Sequence, residues 1–104
     1  MNGPDAENSK PADKKKDLGP PLKILVADDT AVNLALATKL LKRRGHDIIS
    51  AENGLQAFEA FKETSFDVVL MDIHMPVMDG LESTAKIREF ETSQPSRPPT
   101  PIIA

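Results

Sequence analysis

Apolar residues fall along this chain in short continuous runs that alternate with helix-spaced stripes. Residues 22–27, centred on Ile24, Leu25 and Val26, have the length of a strand buried on both faces. From residue 30 to 44 the spacing becomes helical, with Leu36, Ala37, Leu40 and Leu41 predicted on one broad face. Gly45 fits the C-terminal cap, and Lys42, Arg43 and Arg44 in the last turn favour the helix dipole. A second strand follows at 47–51, then a turn at Asn53-Gly54 and a helix over 55–62 that buries Ala57, Phe58 and Phe61. The third strand, Val68 to Met71, leads through a loop into a helix over about 81–90. Residues 91–100, with Pro95, Pro98 and Pro99, read as a flexible surface loop, and 101–104 as a fourth strand. Strands and helices alternating over short links imply parallel strands, right-handed crossovers and a doubly wound α/β sheet.

Size and composition narrow the picture. The 104 residues suit one domain with a modest core. Residues 1–21 are rich in Pro, Gly, Lys and Asp and nearly empty of large apolar groups, so a disordered tail is expected there. Its lysines, Lys10 and Lys14 to Lys16, cancel Asp5, Glu7, Asp13 and Asp17, which leaves the net charge of −3 to the folded part. Lys14-Lys15-Lys16 is therefore read as solvated tail. A mildly acidic domain gives no footprint for nucleic acid. No apolar run approaches the ~20 residues of a membrane span, and no secretory h-region follows Met1. The absence of cysteine removes disulfides, thiol nucleophiles and zinc-finger spacing. A soluble, cytoplasmic protein is the expectation.

The chemistry concentrates where strands should end. Asp72 stands at the end of the third strand, and the loop after it is stiffened by Pro76 and closed by Asp79-Gly80. Asp28-Asp29 ends the first strand. In an open parallel sheet, ligands collect beyond the carboxyl ends of the strands. If the first and third strands are neighbours, three carboxylates meet and repel, and a hard divalent cation such as Mg²⁺ relieves them. Asp72 could then act as a nucleophile toward phosphorus, forming an acyl phosphate. Taken alone, Asp28-Asp29-Thr30 reads as a helix N-cap and Asp79-Gly80 as a turn; acids at two strand ends shift the balance toward a site.

The runs Ile24-Leu25-Val26-Ala27-Asp28-Asp29, Met71-Asp72-Ile73-His74-Met75-Pro76-Val77-Met78-Asp79-Gly80 and Pro101-Ile102-Ile103-Ala104 resemble the receiver domain of two-component response regulators over residues 22–104. Val32-Asn33 and Gly45-His46 look most like receivers of hybrid histidine kinases. The resemblance implies a flavodoxin-like sheet and a phosphorelay role, with phosphoryl groups taken from a histidine kinase or histidine phosphotransfer protein. It implies Asp72 as phosphoacceptor, Asp29 as direct Mg²⁺ ligand and Asp28 as its partner, with the His74 main-chain carbonyl completing the set. Met75, Pro76, Asp79 and Gly80 match the loop that shapes the site, and the His74 imidazole is read as a surface group. Beyond the fourth strand the family carries a switch Ser or Thr, a fifth strand ending in Lys, and two more helices. Neither Thr100 nor Lys86 matches those residues, so a truncated receiver is expected, with self-association through an uncovered sheet edge.

Three weaker readings stand beside these. Lys39, Lys42, Arg43, Arg44 and His46 form a basic patch best read as a solvated helix end, and Met71, Met75 and Met78 read as packing residues. A receiver-like remnant that only binds a partner is the alternative function. A phosphohydrolase of the haloacid dehalogenase type would want Asp-x-Asp after the first strand, which Asp28-Asp29-Thr30 lacks. A receiver is not expected to be an enzyme acting on other substrates.

Overall fold

Four short apolar runs pair in parallel in a computed structural model of the chain, which describes residues 20–94 and 98–104. They are β1 (Lys23–Ala27), β2 (Asp47–Ala51), β3 (Val68–Met71) and β4 (Ile102–Ile103), in the sheet order β2-β1-β3-β4. Three helices connect them: α1 (Ala31–Arg43), α2 (Gly54–Glu63) and α3 (Gly80–Thr92). This is a flavodoxin-like doubly wound arrangement, with four strands and three helices among the described residues. The tail expected at 1–21 lies, up to residue 19, outside the described residues, as do Pro95 to Arg97 in the loop before β4.

Because strands with helices on both sides bury both faces, the sheet has two cores. Leu25, Ala27, Ala51, Val69 and Met71 face α2 and α3 together with Ala57, Phe61, Phe66 and Ile87. Phe61 stacks on Phe66 at 6.4 Å and meets Phe90 edge-on at 6.1 Å. Phe58 is half-buried rather than enclosed, and Lys62 sits over its ring, 4.7 Å from the centroid. On the opposite face Ile24, Val26 and Ile48 pack with Leu34, Ala37 and Leu41 of α1.

That α1 face differs from the expected one. Leu36 and Leu40 are 56% and 48% exposed, and Val32 is 72% exposed. At about 100° per residue, Leu34, Ala37 and Leu41 fall within roughly 60° of arc, while Val32, Leu36 and Leu40 form a second stripe centred about 130° away. The helix carries two apolar stripes and the sheet takes one. Its C-terminus ends as the sequence suggests: Gly45 has φ 93°, its N–H donates to the Lys42 carbonyl, and the His46 N–H donates to the Leu41 carbonyl. This double bond is the Schellman motif, which needs a residue free of Cβ strain at Gly45. His46 leaves the basic patch, because its Nδ1 accepts the Leu22 N–H at 3.0 Å and secures the entry to β1.

The segment expected as a flexible loop is tied at both ends. Glu91 and Thr92 belong to α3. Glu91 accepts the Arg88 guanidinium through Oε1 at 2.7 Å and the Thr100 N–H through Oε2 at 2.7 Å. Arg88 also donates to the Thr100 carbonyl at 2.9 Å, and Thr100 is 5% exposed. This clasp delivers Pro101, whose carbonyl accepts the Val69 N–H, into the β3–β4 pairing.

Candidate functional site

Register alone brings the acids together. Ala27 of β1 pairs with Met71 of β3, and the ladder runs one step further: the Asp72 N–H donates to the Ala27 carbonyl at 2.9 Å. The Asp28 N–H likewise donates to Ala51 at 3.0 Å. Parallel strands in register must end side by side, so residues 28 and 72 are neighbours although 44 positions separate them. One oxygen from each of Asp28, Asp29 and Asp72 falls in a group within 4.8 Å. Asp28 and Asp72 are half-buried and Asp29 is exposed.

The helix reading of Asp28-Asp29-Thr30 holds only for the backbone. Thr30 is the N-cap of α1, yet its side chain makes no capping bond. Asp28 accepts the Thr30 N–H through Oδ1 at 2.8 Å and the Asn33 amide through Oδ2 at 3.3 Å. Asp29 Oδ1 lies 3.5 Å from the Thr30 hydroxyl, a marginal donor. Asp72 Oδ1 accepts the His74 N–H at 3.3 Å, which turns the main chain of His74 around the carboxylate and leaves its ring exposed. Asn33 was absent from the site residues expected from sequence. Its position three residues into α1, four after Asp29, was the available signal.

The loop after Asp72 is built by close approach. The Gly80 N–H donates to the Ile73 carbonyl at 2.8 Å, and a Cβ at Gly80 would run into the Asp72 carbonyl. Only glycine lets the start of α3 come this near to the phosphoacceptor candidate. Asp79 caps α3 by accepting the Glu82 N–H at 2.8 Å. Met75 and Met78 are 9% exposed, which fixes them as packing residues, with Met71 at 3%. Between Pro76 and Met78 the chain makes a three-residue turn, closed by the Met78 N–H on the Pro76 carbonyl at 2.7 Å, with Val77 at φ 68°. The loop is seated from below by the Gly54 N–H on the Met78 carbonyl at 2.8 Å and by the buried Ser83 hydroxyl on the Gly54 carbonyl at 2.8 Å.

The donor set fits a small hard cation. All three side chains offer carboxylate oxygen, and an octahedral Mg²⁺ with bonds of about 2.1 Å spaces its ligands by ~3 to ~4 Å. The three carboxylate oxygens, all within 4.8 Å of one another, lie close to that range. Next to the acids opens a cavity of about 360 Å³, lined by Asp28, Asn33 and Asp72 on its polar side and by Val26, Leu70 and Ile103 on its apolar side. No lysine or arginine lines it among the described residues.

Known proteins share this sequence pattern and fold. The model of the response regulator receiver domain matches residues 24–104. Hybrid signal transduction histidine kinase I of Dictyostelium discoideum is 43% identical over 89 residues, which are 81% of this chain and 5% of that protein. The receiver domain of the histidine kinase CKI1 from Arabidopsis thaliana, solved with Mg²⁺ and BeF₃⁻, superposes with a TM-score of 0.71 at 32% identity over 78% of this chain and 62% of that one. The receiver domain of Ssk1 from Saccharomyces cerevisiae, solved with the phosphotransfer protein Ypd1, gives 0.71 at 28% identity over 81% and 61%. Acids at the tips of two adjacent parallel strands, a glycine-dependent loop after the second, and this match over most of its length place the chain in the response regulator receiver domain family.

Proposed function

We propose that residues 22–104 form the receiver unit of a two-component phosphorelay and that Asp72 is its phosphoacceptor. An Asp72 oxygen forms a bond to phosphorus while the phosphorus–nitrogen bond of a donor phosphohistidine breaks and its electron pair stays on the imidazole. Asp28, Asp29, Asp72 and the His74 main-chain carbonyl would hold Mg²⁺, which neutralises charge on the transferring group. Met75, Pro76, Asp79 and Gly80 hold the loop that fixes the direction of Asp72. The grouping of the three carboxylates within 4.8 Å carries this reading. The donor is a histidine kinase or a histidine phosphotransfer protein, a reading supported by the Ypd1 complex of the similar Ssk1 receiver. The chain acts in the cytoplasm, without nucleic acid or membrane as partner, and turns over no external substrate. Among the described residues no helix is long and apolar enough to cross a membrane.

The test is labelling of the 104-residue chain with acetyl phosphate and Mg²⁺, in which acetate is the leaving group. Label on wild type that is lost in Asp72→Asn and in EDTA is the expected result. A folded wild-type chain that takes no label overturns it. The second reading, a receiver-like module that binds a partner without accepting phosphoryl groups, would then stand on the exposed Val32, Leu36, Leu40, Leu81 and Ile103.

A further inference from the structure

We propose that Asn33 is a positioning residue of the carboxylate site, its amide holding Asp28 at the angle from which Asp29 and Asp72 can share a divalent cation. The inference rests on the phosphoacceptor reading and adds to it a residue outside the acidic trio.

The start of α1 departs from ordinary helix capping. In a capping box, the N-cap side chain bonds the N–H at the third helical position and a Glu or Gln there reaches back to the N-cap N–H. Asn33 occupies that position in α1 and does not do so. The Thr30 N–H is instead taken by Asp28 Oδ1, and the Asn33 amide goes to Asp28 Oδ2. The N-caps of α2 and α3 behave ordinarily, with Asn53 and Asp79 accepting the N–H groups of Gln56 and Glu82. The start of α1 is thus organised around the Asp28 carboxylate rather than around its own backbone.

Geometry gives that arrangement a consequence. A carboxylate held through one oxygen can still swing about χ2, whereas one held through both is fixed in plane. Asp28 is held through both, while Asp72 is bonded through one oxygen and Asp29 only by a long contact at 3.5 Å. Asp28 therefore serves as the fixed wall, with Asp29 and Asp72 as the movable donors. Asn33 also lines the cavity beside Asp72 and carries the amide on its polar side. Partners outside the coordination sphere that orient a ligand typically change metal affinity by about 10–100-fold. The bond here is long and exposed, so the low end applies.

The experiment titrates Mg²⁺ into the 104-residue chain by isothermal calorimetry, for wild type, Asn33→Ala and Asn33→Leu, and follows melting in EDTA. Alanine and leucine are better helix formers than asparagine, so neither change should harm α1. The expected result is a Kd for Mg²⁺ about tenfold higher in both variants, with the melting temperature in EDTA unchanged or raised. Equal affinities in wild type and variants would overturn the assignment of Asn33 alone. A lower melting temperature with unchanged Kd would make Asn33 structural and would overturn it equally. A wild-type chain that binds no Mg²⁺ would remove the phosphoacceptor reading and this inference together.

Discussion

Val77 holds a conformation that β-branched residues avoid, with φ 68° at the centre of the turn between Pro76 and Met78 and its side chain 77% exposed. Nothing is buried in return, so the strain is uncompensated at the residue itself. Left-handed backbone costs an ordinary residue about 1–2 kcal/mol, and asparagine is among the few that visit it readily. Val77→Asn is therefore expected to stabilise the chain by about 1 kcal/mol, read as a higher urea midpoint at unchanged slope; a lower midpoint would show that the valine has a packing role. Asp28, Asp29 and Asp72 were legible in the sequence because an acid ending an apolar run can be seen without coordinates. Their second contacts were not. The Asn33–Asp28 bond spans five residues, close enough for Asn33 to be noticed but not for its amide to be aimed, and the His46–Leu22 bond spans twenty-four with no local pattern to encode it.

Among the elements, α1 shows how periodicity can give a helix and miss its orientation. Leu34, Ala37 and Leu41 face the sheet, whereas Leu36 and Leu40, equally apolar, face outward. Leu41→Ala is expected to destabilise by about 2 kcal/mol through lost burial, at the low end for a half-buried leucine. Leu36→Ser should stay within about 0.5 kcal/mol; thermal melts of the two variants decide it, and equal losses would reverse the assignment of faces. The α3–β4 link adds a pH dependence. Partial burial raises the Glu91 pKa, but the Thr100 N–H and the Arg88 guanidinium together outweigh it, so the carboxyl lies below its ordinary value of 4.5. A depressed acid stabilises the fold above the unfolded-state value, and this contribution is lost as pH falls through the folded-state one. Acidification below about pH 4.5 should loosen β4 before the rest. Amide-exchange protection at Val69, whose N–H bonds Pro101, measured relative to the intrinsic rate at each pH, would then fall in wild type, with a much weaker pH response in Glu91→Gln. The proline-rich composition of residues 91–100 concealed this link, since a clasp between one carboxylate, one guanidinium and one main-chain amide leaves no periodic trace.

The whole molecule is unevenly covered. Among the described residues, two helices pack on one face of the sheet and one on the other; Ile103 is 55% exposed at the β4 edge and Leu81 65% exposed at the start of α3. The alternation of strand and helix made the parallel topology readable, whereas the adjacency of β1 and β3 entered the sequence reading as a condition and is supplied by the structure. Burial was less readable, because a strand's hydrophobicity does not reveal how many helices lie over it. An unpaired apolar edge favours pairing with another chain. The 104-residue chain is expected to self-associate at tens of micromolar in sedimentation velocity, and Ile103→Lys to return it to monomer. A monomeric wild type would remove that surface from consideration.

Ala104 lies on the wall of the same cavity as Asp28, Asn33 and Asp72. Residue 104 is thus a vantage point on the acids. A small environment-sensitive dye coupled there would brighten or dim as magnesium arrives, which offers an optical readout in a protein that has no tryptophan or tyrosine of its own.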